Sequence, residues 1–484
     1  MRGKIGHKIA LLAISCMLVA GCTSGAGKKK EQEKSTLKVI YWEESYFYQQ
    51  YGDLFTMKNG ENIEFEVVST QGLYNNQEGK SYEEAFDEFI EKEKPDILML
   101  DNSNLEKYIS DGKLVELDTY IEKDKYNLEG IYPGFIEMLK EIGGSKLYGL
   151  SPSFYGTAVF YNKDLFNKYG VELPHDGMSW QDILDLARRF PTDGDKKTRV
   201  YGYGDNYPVQ LETLVSNISS SEGLVDVNPD TMKVTLDTDS WKRVYQLAID
   251  ADKSGVVYNP EGDDGFSGGS MEEYYQSQPF LMGRVALTVG NPYMIRNLKE
   301  AKDMIKDYKP FELGIVSGPV DPADPTSTYN TSMGEIFAIN AASPNKDAAW
   351  EFIKFVNGED YARVKSRSDN NMMSRMGFKK DYEGQSLDPF YALKPKISKS
   401  YLSWNKLPDT FYGEYNMIKT KEIDLVKNNK KTLDEALKTI QAEAQAALDK
   451  GLKDKEANKT EGGASTDNMS SDSGATTEES TSGE

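Results

Sequence analysis

Aromatic, acidic and amide side chains stand at or just after the ends of two apolar segments, 37–42 and 96–100. These side chains are Trp42, Glu43, Tyr46, Asp101 and Asn102. A carboxylate can accept hydrogen bonds from two hydroxyls at once, and an aromatic ring offers a flat apolar face. Together they suit a ligand that has both apolar faces and hydroxyl groups. The same residue types also fit structural roles, a tryptophan in a core and an aspartate in an Asx turn, and these alternatives stay open.

The chain holds few side chains for nucleophilic or metal chemistry. It has 2 His and 2 Cys in 484 residues, and one of each, His7 and Cys16, lies within residues 1–21. Only His175 and Cys22 remain after that segment. A single histidine cannot build a His-centred metal site, and its scarcity also excludes most Ser-His or Cys-His catalysis. We therefore expect no cofactor and no metal. The formal net charge of −21 repels nucleic acid, so none is expected as a partner.

The N-terminal segment predicts export followed by a lipid anchor. Three basic residues precede the apolar run 9–20, which is the order and length of a secretory signal peptide. The following VAGC, ending at Cys22, resembles the lipobox of bacterial lipoproteins. That resemblance implies removal of residues 1–21, lipidation of Cys22, and a flexible tether over 22–36. An ordinary signal peptide with an incidental cysteine is the alternative.

Strands and helices alternate after the tether. The apolar runs 37–42, 63–68 and 96–100 predict buried strands, and the helical apolar stripe of 82–94 lies between the second and third. A strand, helix, strand order requires a crossover and predicts an α/β fold with a parallel sheet. Ligands of such sheets bind beyond the carboxyl ends of the strands, where the polar and aromatic residues above are found.

The C-terminal end divides into a capped helix and a polar tail. Thr432 and Glu435 form the capping-box pattern of a helix start, with a regular apolar stripe behind them. From residue 456 to 484 the chain is rich in Ser, Thr, Gly and Glu and has no apolar periodicity. We predict that this acidic tail is disordered, because it cannot bury enough surface to offset ordering entropy.

Four blocks resemble, in order, the extracellular solute-binding proteins of bacterial ABC importers, in the sugar-binding family that includes maltose-binding protein. The blocks are KPDILMLDNSNLEKYISDGKLVELD (94–118), KLYGLSPSFYGTAVFYNKDLFNKYGV (146–171), PFLMGRVALTVGNPYMIRNL (279–298) and EIFAINAASPNKDAAWEFIKFV (335–356).

The resemblance implies two α/β lobes with a ligand cleft between them, joined by three hinge crossings. Placed on this sequence, the crossings fall near 151–153, 332–335 and 370–375. The first lobe would then comprise 37–152 and 336–371, and the second 153–335 and 372–455. The family also implies a monomer that closes around its solute by a hinge motion.

Further cleft residues come from the resemblance and from the sequence near the C-terminus. Tyr155 falls where maltose-binding protein has a ligand-contacting acid, and this departure favours stacking and weakens any inference to maltose. Tyr293 matches the position of a stacking tryptophan in sugar-binding relatives, and Tyr207 corresponds more loosely to another aromatic platform. Trp404 lies outside an obvious periodic core and is a candidate wall of the cleft.

The expected function is that of a membrane-anchored substrate-binding lipoprotein facing the extracellular side. It would capture a carbohydrate of oligosaccharide size and deliver it to the permease subunits of an ABC transporter. Two alternatives stay open. One is a surface-anchored polysaccharide-degrading enzyme with paired carboxylates. The other is a binding protein for a non-sugar solute such as a peptide.

Overall fold

The computed structural model describes most of the chain after the tether. The described residues are 34–60, 62–74, 82–260, 268–368, 372–398, 407–408 and 410–464. Two residues singled out from the sequence, Cys22 and Trp404, lie outside these ranges.

Most strands are short, and the longer ones belong to two separate sheets. The strands of the described residues are β1 (Ser35–Tyr41), β2 (Ile63–Ser69), β3 (Ile97–Leu100), β4 (Gly149–Leu150), β5 (Ser153–Gly156), β6 (Ala158–Asn162), β7 (Tyr201–Tyr203), β8 (Val227–Asn228), β9 (Lys233–Val234), β10 (Val285–Gly290), β11 (Leu313–Val316), β12 (Ser327–Thr328), β13 (Thr331–Ser332), β14 (Ile336–Ile339), β15 (Met372–Met373), β16 (Asp381–Tyr382), β17 (Gln385–Ser386) and β18 (Lys394–Pro395).

Helices cover the sheets and form the C-terminal end. The helices of the described residues are α1 (Glu44–Phe47), α2 (Asp53–Asn59), α3 (Tyr82–Glu93), α4 (Asn102–Ser110), α5 (Asp118–Asp124), α6 (Pro133–Ile142), α7 (Lys163–Tyr169), α8 (Trp180–Ala187), α9 (Leu211–Ser221), α10 (Asp239–Ser254), α11 (Met271–Ser277), α12 (Tyr293–Met304), α13 (Lys346–Val356), α14 (Glu359–Ser368), α15 (Phe411–Lys427) and α16 (Leu433–Ala464). A π-helical turn, Tyr48–Gly52, joins α1 to α2, and short 3₁₀ turns occur at Gln71–Tyr74 and Asp388–Phe390.

The first sheet has the strand order β2-β1-β3-β14-β4. The strands β1, β2 and β3 are parallel, as the strand, helix, strand pattern predicts, and β14 returns antiparallel to β3 and β4. Helices on both faces bury the apolar strands, and Leu37, Val39 and Phe337 are fully buried. Phe352 of α13 packs on Phe337 with a ring-centroid distance of 5.4 Å. This sheet is the centre of the first lobe.

The second sheet has the order β11-β6-β10-β7 and is the centre of the second lobe. Strand β6 is antiparallel to both β10 and β11, and β10 is parallel to β7. Side chains of β6 alternate between two apolar clusters: Ala158 and Phe160 face one, Val159 and Tyr161 the other. The helices α15 and α16 pack into the second of these clusters, so the C-terminal end of the chain completes the second lobe.

Three short strands link the lobes. The chain passes between the two sheets after β4, after β11 and after α14, and β5, β13 and β15 lie on these passages. Strand β5 is the middle one and pairs antiparallel with both neighbours, Tyr155 opposite Ser332 and Ser153 opposite Met373. The predicted class, an α/β fold of two lobes with three crossings, matches this topology. The lobe boundaries drawn from the sequence stay a prediction.

The structure changes both ends of the predicted globular region. Strand β1 begins at Ser35, so two residues assigned to the tether belong to the first sheet. The capping box is confirmed: the Thr432 hydroxyl accepts from the Glu435 N–H at 3.3 Å, and the Glu435 carboxylate accepts from the Thr432 N–H at 3.0 Å. Helix α16 then continues to Ala464, so residues 456–464 are helical and the prediction of disorder was wrong there. Extending an existing helix costs far less than nucleating one, which the composition of the tail alone does not reveal.

Candidate ligand-binding cleft

One edge of the first sheet gathers residues from three distant parts of the chain. In the antiparallel pair of β14 and β3, Ile336 lies opposite Leu100, so Glu335 and Asp101 are the next residues out at the same edge. Strand β1 runs parallel to β3 and ends at this edge, where Trp42 follows its last residue. The carboxyl ends of parallel strands are where ligands of α/β sheets bind. The geometry therefore brings Trp42, Asp101 and Glu335 to one edge.

The loop after β1 holds Trp42 and Glu43, and the helix α1 that follows it holds Tyr46. The Trp42 carbonyl accepts a hydrogen bond from the Ser69 hydroxyl at 2.8 Å, which fixes the loop to the end of β2. The Glu43 carboxylate accepts from the Ser45 hydroxyl at 2.6 Å. The π-helical turn Tyr48–Gly52 comes after α1, and such turns are frequent at functional sites.

Asp101 has a structural role that the sequence allowed. Its Oδ1 accepts from the Asn104 N–H at 2.8 Å and caps the N-terminus of α4. The cap uses one carboxylate oxygen, and the side chain is exposed at the sheet edge. The neighbouring Asn102 has a buried Oδ1 that finds no hydrogen-bond partner among the described residues. A buried unsatisfied amide oxygen is costly, so this oxygen is a candidate acceptor for a hydroxyl of a solute or for a water.

The matching edge of the second sheet carries the other candidates. Gly290 at the end of β10 lies opposite Ala158 at the start of β6, and β7 runs parallel to β10. Tyr293 follows β10, and Tyr207 follows β7, so both lie at this edge. Thr157, which precedes β6, has a buried hydroxyl without a partner among the described residues.

Tyr155 lies between the two edges, on the middle hinge strand β5. Its ring lies over the backbone of the second passage, because a Cβ added at Gly334 would come within 2.9 Å of it. A glycine at this position lets the ring approach the chain closely.

Exposure separates the predicted cleft aromatics from the core. Among the described residues with large exposed apolar side chains, the aromatic ones are those predicted for the cleft, and their exposed fractions run from 39% to 52%. They are Trp42, Tyr46, Tyr155, Tyr207 and Tyr293. By contrast Trp180, Trp241 and Trp350 are at most 4% exposed and are packing residues of the core. Contact between the five exposed aromatic residues and a ligand stays a prediction.

Sequence reasoning missed Glu335. The Tyr41 hydroxyl donates to its Oε1 at 2.8 Å, and the Tyr51 hydroxyl donates to its Oε2. Burial, with the Glu335 charge second, raises the pKa of Tyr51 well above its usual range, so this hydroxyl stays a donor. Glu335 stands at the start of a block quoted above, but only the β14–β3 register places it beside Asp101.

Asp205 and Asn206 were missed as well, although the loop that holds Tyr207 contains them. Burial raises the pKa of Asp205, opposed by a hydrogen bond from the Asn206 N–H, 2.7 Å from its Oδ1. The Oδ1 of Asn206 is buried and has no partner among the described residues. The signal was present: two polar residues directly after a buried strand at its carboxyl end.

Other features of the described chain lie away from this cleft. A cavity of about 260 Å³ between α9, α10 and α15 is lined by Asp226, Trp241 and Tyr245, and none of the cleft candidates borders it. In the parts of the chain that the structure describes, no group of three His, Cys, Asp or Glu residues could hold a metal ion. Within the same ranges, no helix has the length and apolar character needed to cross a membrane.

Two α/β lobes joined by three passages, with aromatic and acidic residues at the sheet edges, are the arrangement expected of a solute-binding protein. Residues 34–363 match the family described as bacterial extracellular solute-binding proteins. Since this match covers more than half of the chain, the protein belongs to that family.

Relatives and solved structures agree with the assignment. A binding protein of Brucella abortus (strain 2308) is 24% identical over 314 residues, covering 63% of this chain and 69% of the relative. The sn-glycerol-3-phosphate-binding periplasmic protein UgpB of Escherichia coli (strain K12) is 25% identical over 182 residues, 36% of each chain. The structure of the sugar-binding protein MalE from Xanthomonas citri has a TM-score of 0.59 at 14% identity, covering 87% of this chain and 99% of that one. The structural likeness confirms the two-lobed fold.

The two roles of Asp101, helix cap and cleft carboxylate, can be separated by substitution. Asn caps helices as well as Asp, so Asp101→Asn should leave the free energy of unfolding unchanged, whereas Asp101→Ala should lower it by about 1 kcal/mol. Urea denaturation measures both. If the carboxylate also contacts solute, Asp101→Asn weakens binding without losing stability. If Asp101→Asn binds the solute with wild-type affinity, Asp101 acts only as the N-cap of α4.

Proposed function

We propose that this protein is the substrate-binding lipoprotein of an ABC importer and that it captures a carbohydrate of oligosaccharide size. The observation that carries the proposal is the set of exposed aromatic rings on the hinge strand and after the strands of both sheets. Carboxylates and amides stand beside these rings at each edge. The relative named for sugar binding, MalE, shares the fold and supports the same class of ligand.

The chemistry of a sugar explains this mixture of side chains. Each ring of a sugar has apolar C–H faces that stack on aromatic rings and a rim of hydroxyls that need hydrogen-bond partners. The carboxylates of Asp101, Asp205 and Glu335 can accept hydrogen bonds from sugar hydroxyls. The side-chain oxygens of Asn102 and Asn206, which have no partner among the described residues, can accept further ones. Several aromatic platforms spread over two lobes suit several sugar units. An affinity of about micromolar corresponds to about −8 kcal/mol, within reach of a few stacked rings and paired hydroxyls.

Capture proceeds by closure of the lobes. Lobes consisting of 37–152 with 336–371 and of 153–335 with 372–455 rotate about the three hinge strands. The solute stabilises the closed state because only that state contacts it from both sides. The permease then recognises the closed form.

The lipid anchor keeps the receptor beside its permease. Cys22 carries the lipid, and the residues between it and β1 act as the tether on the extracellular face of the membrane. Anchoring raises the effective concentration of the receptor at the transporter without any new contact.

The anchor is tested by substitution of its single attachment residue. Wild-type protein expressed in its own host should incorporate radiolabelled palmitate and sediment with membranes. Cys22→Ser should lose the label, because the residue that carries the lipid is gone. Label retained in Cys22→Ser would disprove lipidation at this cysteine.

The alternatives of an enzyme and of a peptide receptor are tested together. The purified protein, incubated with oligosaccharides, should bind one of them saturably with one-to-one stoichiometry in calorimetry, and the sugar should be recovered intact by chromatography. New reducing ends that increase with time would establish a polysaccharide-degrading enzyme instead. Heat of binding with a peptide library but with no sugar would establish a peptide receptor.

The stacking platforms are tested by pairs of substitutions at Tyr155 and Tyr293. Replacing either residue by Ala should weaken sugar binding by at least about 1 kcal/mol, since a ring contact is lost. Replacing it by Phe keeps the ring and should retain most of the affinity, which makes Phe the matched control. Titration calorimetry measures all four variants. Unchanged affinity with both residues changed to Ala would reject this placement of the cleft.

A further inference from the structure

Glu335 is held in a defined orientation at the cleft by two buried tyrosines. Tyr41 and Tyr51 are 4% and 3% exposed, and each donates its hydroxyl to a different oxygen of the Glu335 carboxylate. Each carboxylate oxygen can accept a second hydrogen bond. Glu335 itself is partly exposed, so an incoming group can reach it. Two buried hydroxyls directed at one partly exposed carboxylate preorganise it as an acceptor.

The surroundings of Glu335 place it among the ligand-contacting candidates. Gly334, its neighbour in the chain, lies against the exposed ring of Tyr155. Asp101 is its neighbour across the β14–β3 pair. Glu335 therefore stands between an aromatic platform and a second carboxylate, at the point where the second passage enters the first lobe.

Taken together, six described segments that edge the proposed cleft carry negative charge only. Segments 42–46, 101–104, 153–157, 204–208, 290–293 and 332–335 contain five carboxylates and neither Lys nor Arg. At the overall frequency of 57 Lys and Arg in 484 residues, roughly three would be expected in segments of this combined length. The carboxylates are Glu43, Glu44, Asp101, Asp205 and Glu335.

Resting on the proposed carbohydrate function, we infer that Glu335 determines the charge class of the solute, which is a neutral sugar or an amino sugar without anionic groups. Closure removes water from the cleft and strengthens every charge interaction inside it. Hydroxyl and ammonium groups then donate to the carboxylates. A uronate or phosphate would bring a like charge beside Glu335 and Asp101.

This inference distinguishes the chain from one of its own relatives. UgpB is named for binding sn-glycerol 3-phosphate, an anionic solute. Recognition of phosphate groups commonly uses Arg or Lys side chains. The six described segments supply neither, which favours a solute of a different charge class for this chain.

A panel of trisaccharides matched in size, together with one small phosphate ester, tests the charge class on the mature wild-type protein. The β-1,4-linked trisaccharides of glucose, glucosamine and glucuronate share a linkage and differ mainly in charge, and maltotriose and sn-glycerol 3-phosphate complete the panel. Calorimetry should show binding of a neutral or amino trisaccharide, with the glucuronate trimer and glycerol phosphate at least about tenfold weaker, a factor of ten being about 1.4 kcal/mol.

Each other result is decisive in a different way. Tighter binding of the glucuronate trimer than of every neutral trimer would overturn the charge class and keep the carbohydrate function. Binding of sn-glycerol 3-phosphate alone would overturn both. No binding of any probe would reject the carbohydrate function and this inference with it.

Substitution of Glu335 by Gln tests the role of this residue in charge selectivity. Glu335→Gln should weaken binding of the neutral trimer at least about tenfold, because a charged acceptor is lost. The ratio of the affinities for the neutral and glucuronate trimers, called the gap below, should fall at least about threefold. A purely structural effect would weaken both trimers equally and leave the gap unchanged, which would overturn the role of Glu335.

Controls separate charge from folding. Glu312→Gln removes an exposed carboxylate of the second lobe that pairs with Lys163 and should leave the gap unchanged. Tyr51→Phe removes one donor but keeps the Glu335 charge, so the gap should persist. Should Glu335→Gln fail to fold, the affinities of the wild-type protein for the probe panel still decide the charge class.

Discussion

The pairing of the middle hinge strand with both of its neighbours sets the geometry of the rest of the molecule. Ser153 lies opposite Met373, and Tyr155 lies opposite Ser332, so backbone hydrogen bonds hold three passages of the chain side by side. Register on a strand is specified residue by residue, since a slip of one position would turn every side chain to the opposite face. This pairing therefore presents Tyr155 between the lobes and brings the chain into β14 in the register that places Glu335 beside Asp101.

The third passage shows that the hinge is not equally free along its length. The buried Arg375 guanidinium donates to the carbonyls of Asn357 and Asn127 at 2.7 and 2.8 Å, and the Ser374 carbonyl accepts from the Tyr132 N–H at 2.8 Å. The Met376 N–H also donates to the Gly130 carbonyl of the first lobe at 2.9 Å. Beyond it, the segment that ends in β18 touches α6 of the first lobe and pairs with β12 of the second. In the proposed closure, a few backbone positions would absorb the motion while the sheets move as units.

The sequence predicted the parts of this structure that local patterns encode. Continuous apolar runs predicted β1, β2 and β3, a helical stripe predicted α3, and the Thr432–Glu435 pattern predicted the start of α16. Trp42 stood out because it follows a strand, whereas Tyr155, Tyr207 and Tyr293 came from the resemblance to the sugar-binding family. Glu335 and Asp101 are far apart in the chain and meet only through an antiparallel return strand, so no local pattern links them. The partnerless oxygens of Asn102 and Asn206 likewise depend on burial, which composition does not show.

The acidic character of the chain and the acidic character of the cleft act over different distances. A formal net charge of −21 is spread over the whole surface, and at physiological salt its influence fades within about 8 Å. It slows the approach of anions but cannot choose between two bound solutes. The cleft carboxylates act at hydrogen-bond distance, and closure lowers the dielectric around them. Two hydroxyls hold Glu335 in place before a solute arrives, so little ordering cost remains to be met on binding. In the proposed receptor, selectivity would therefore depend on the closed state, in which a few fixed acceptors outweigh the many charges on the surface.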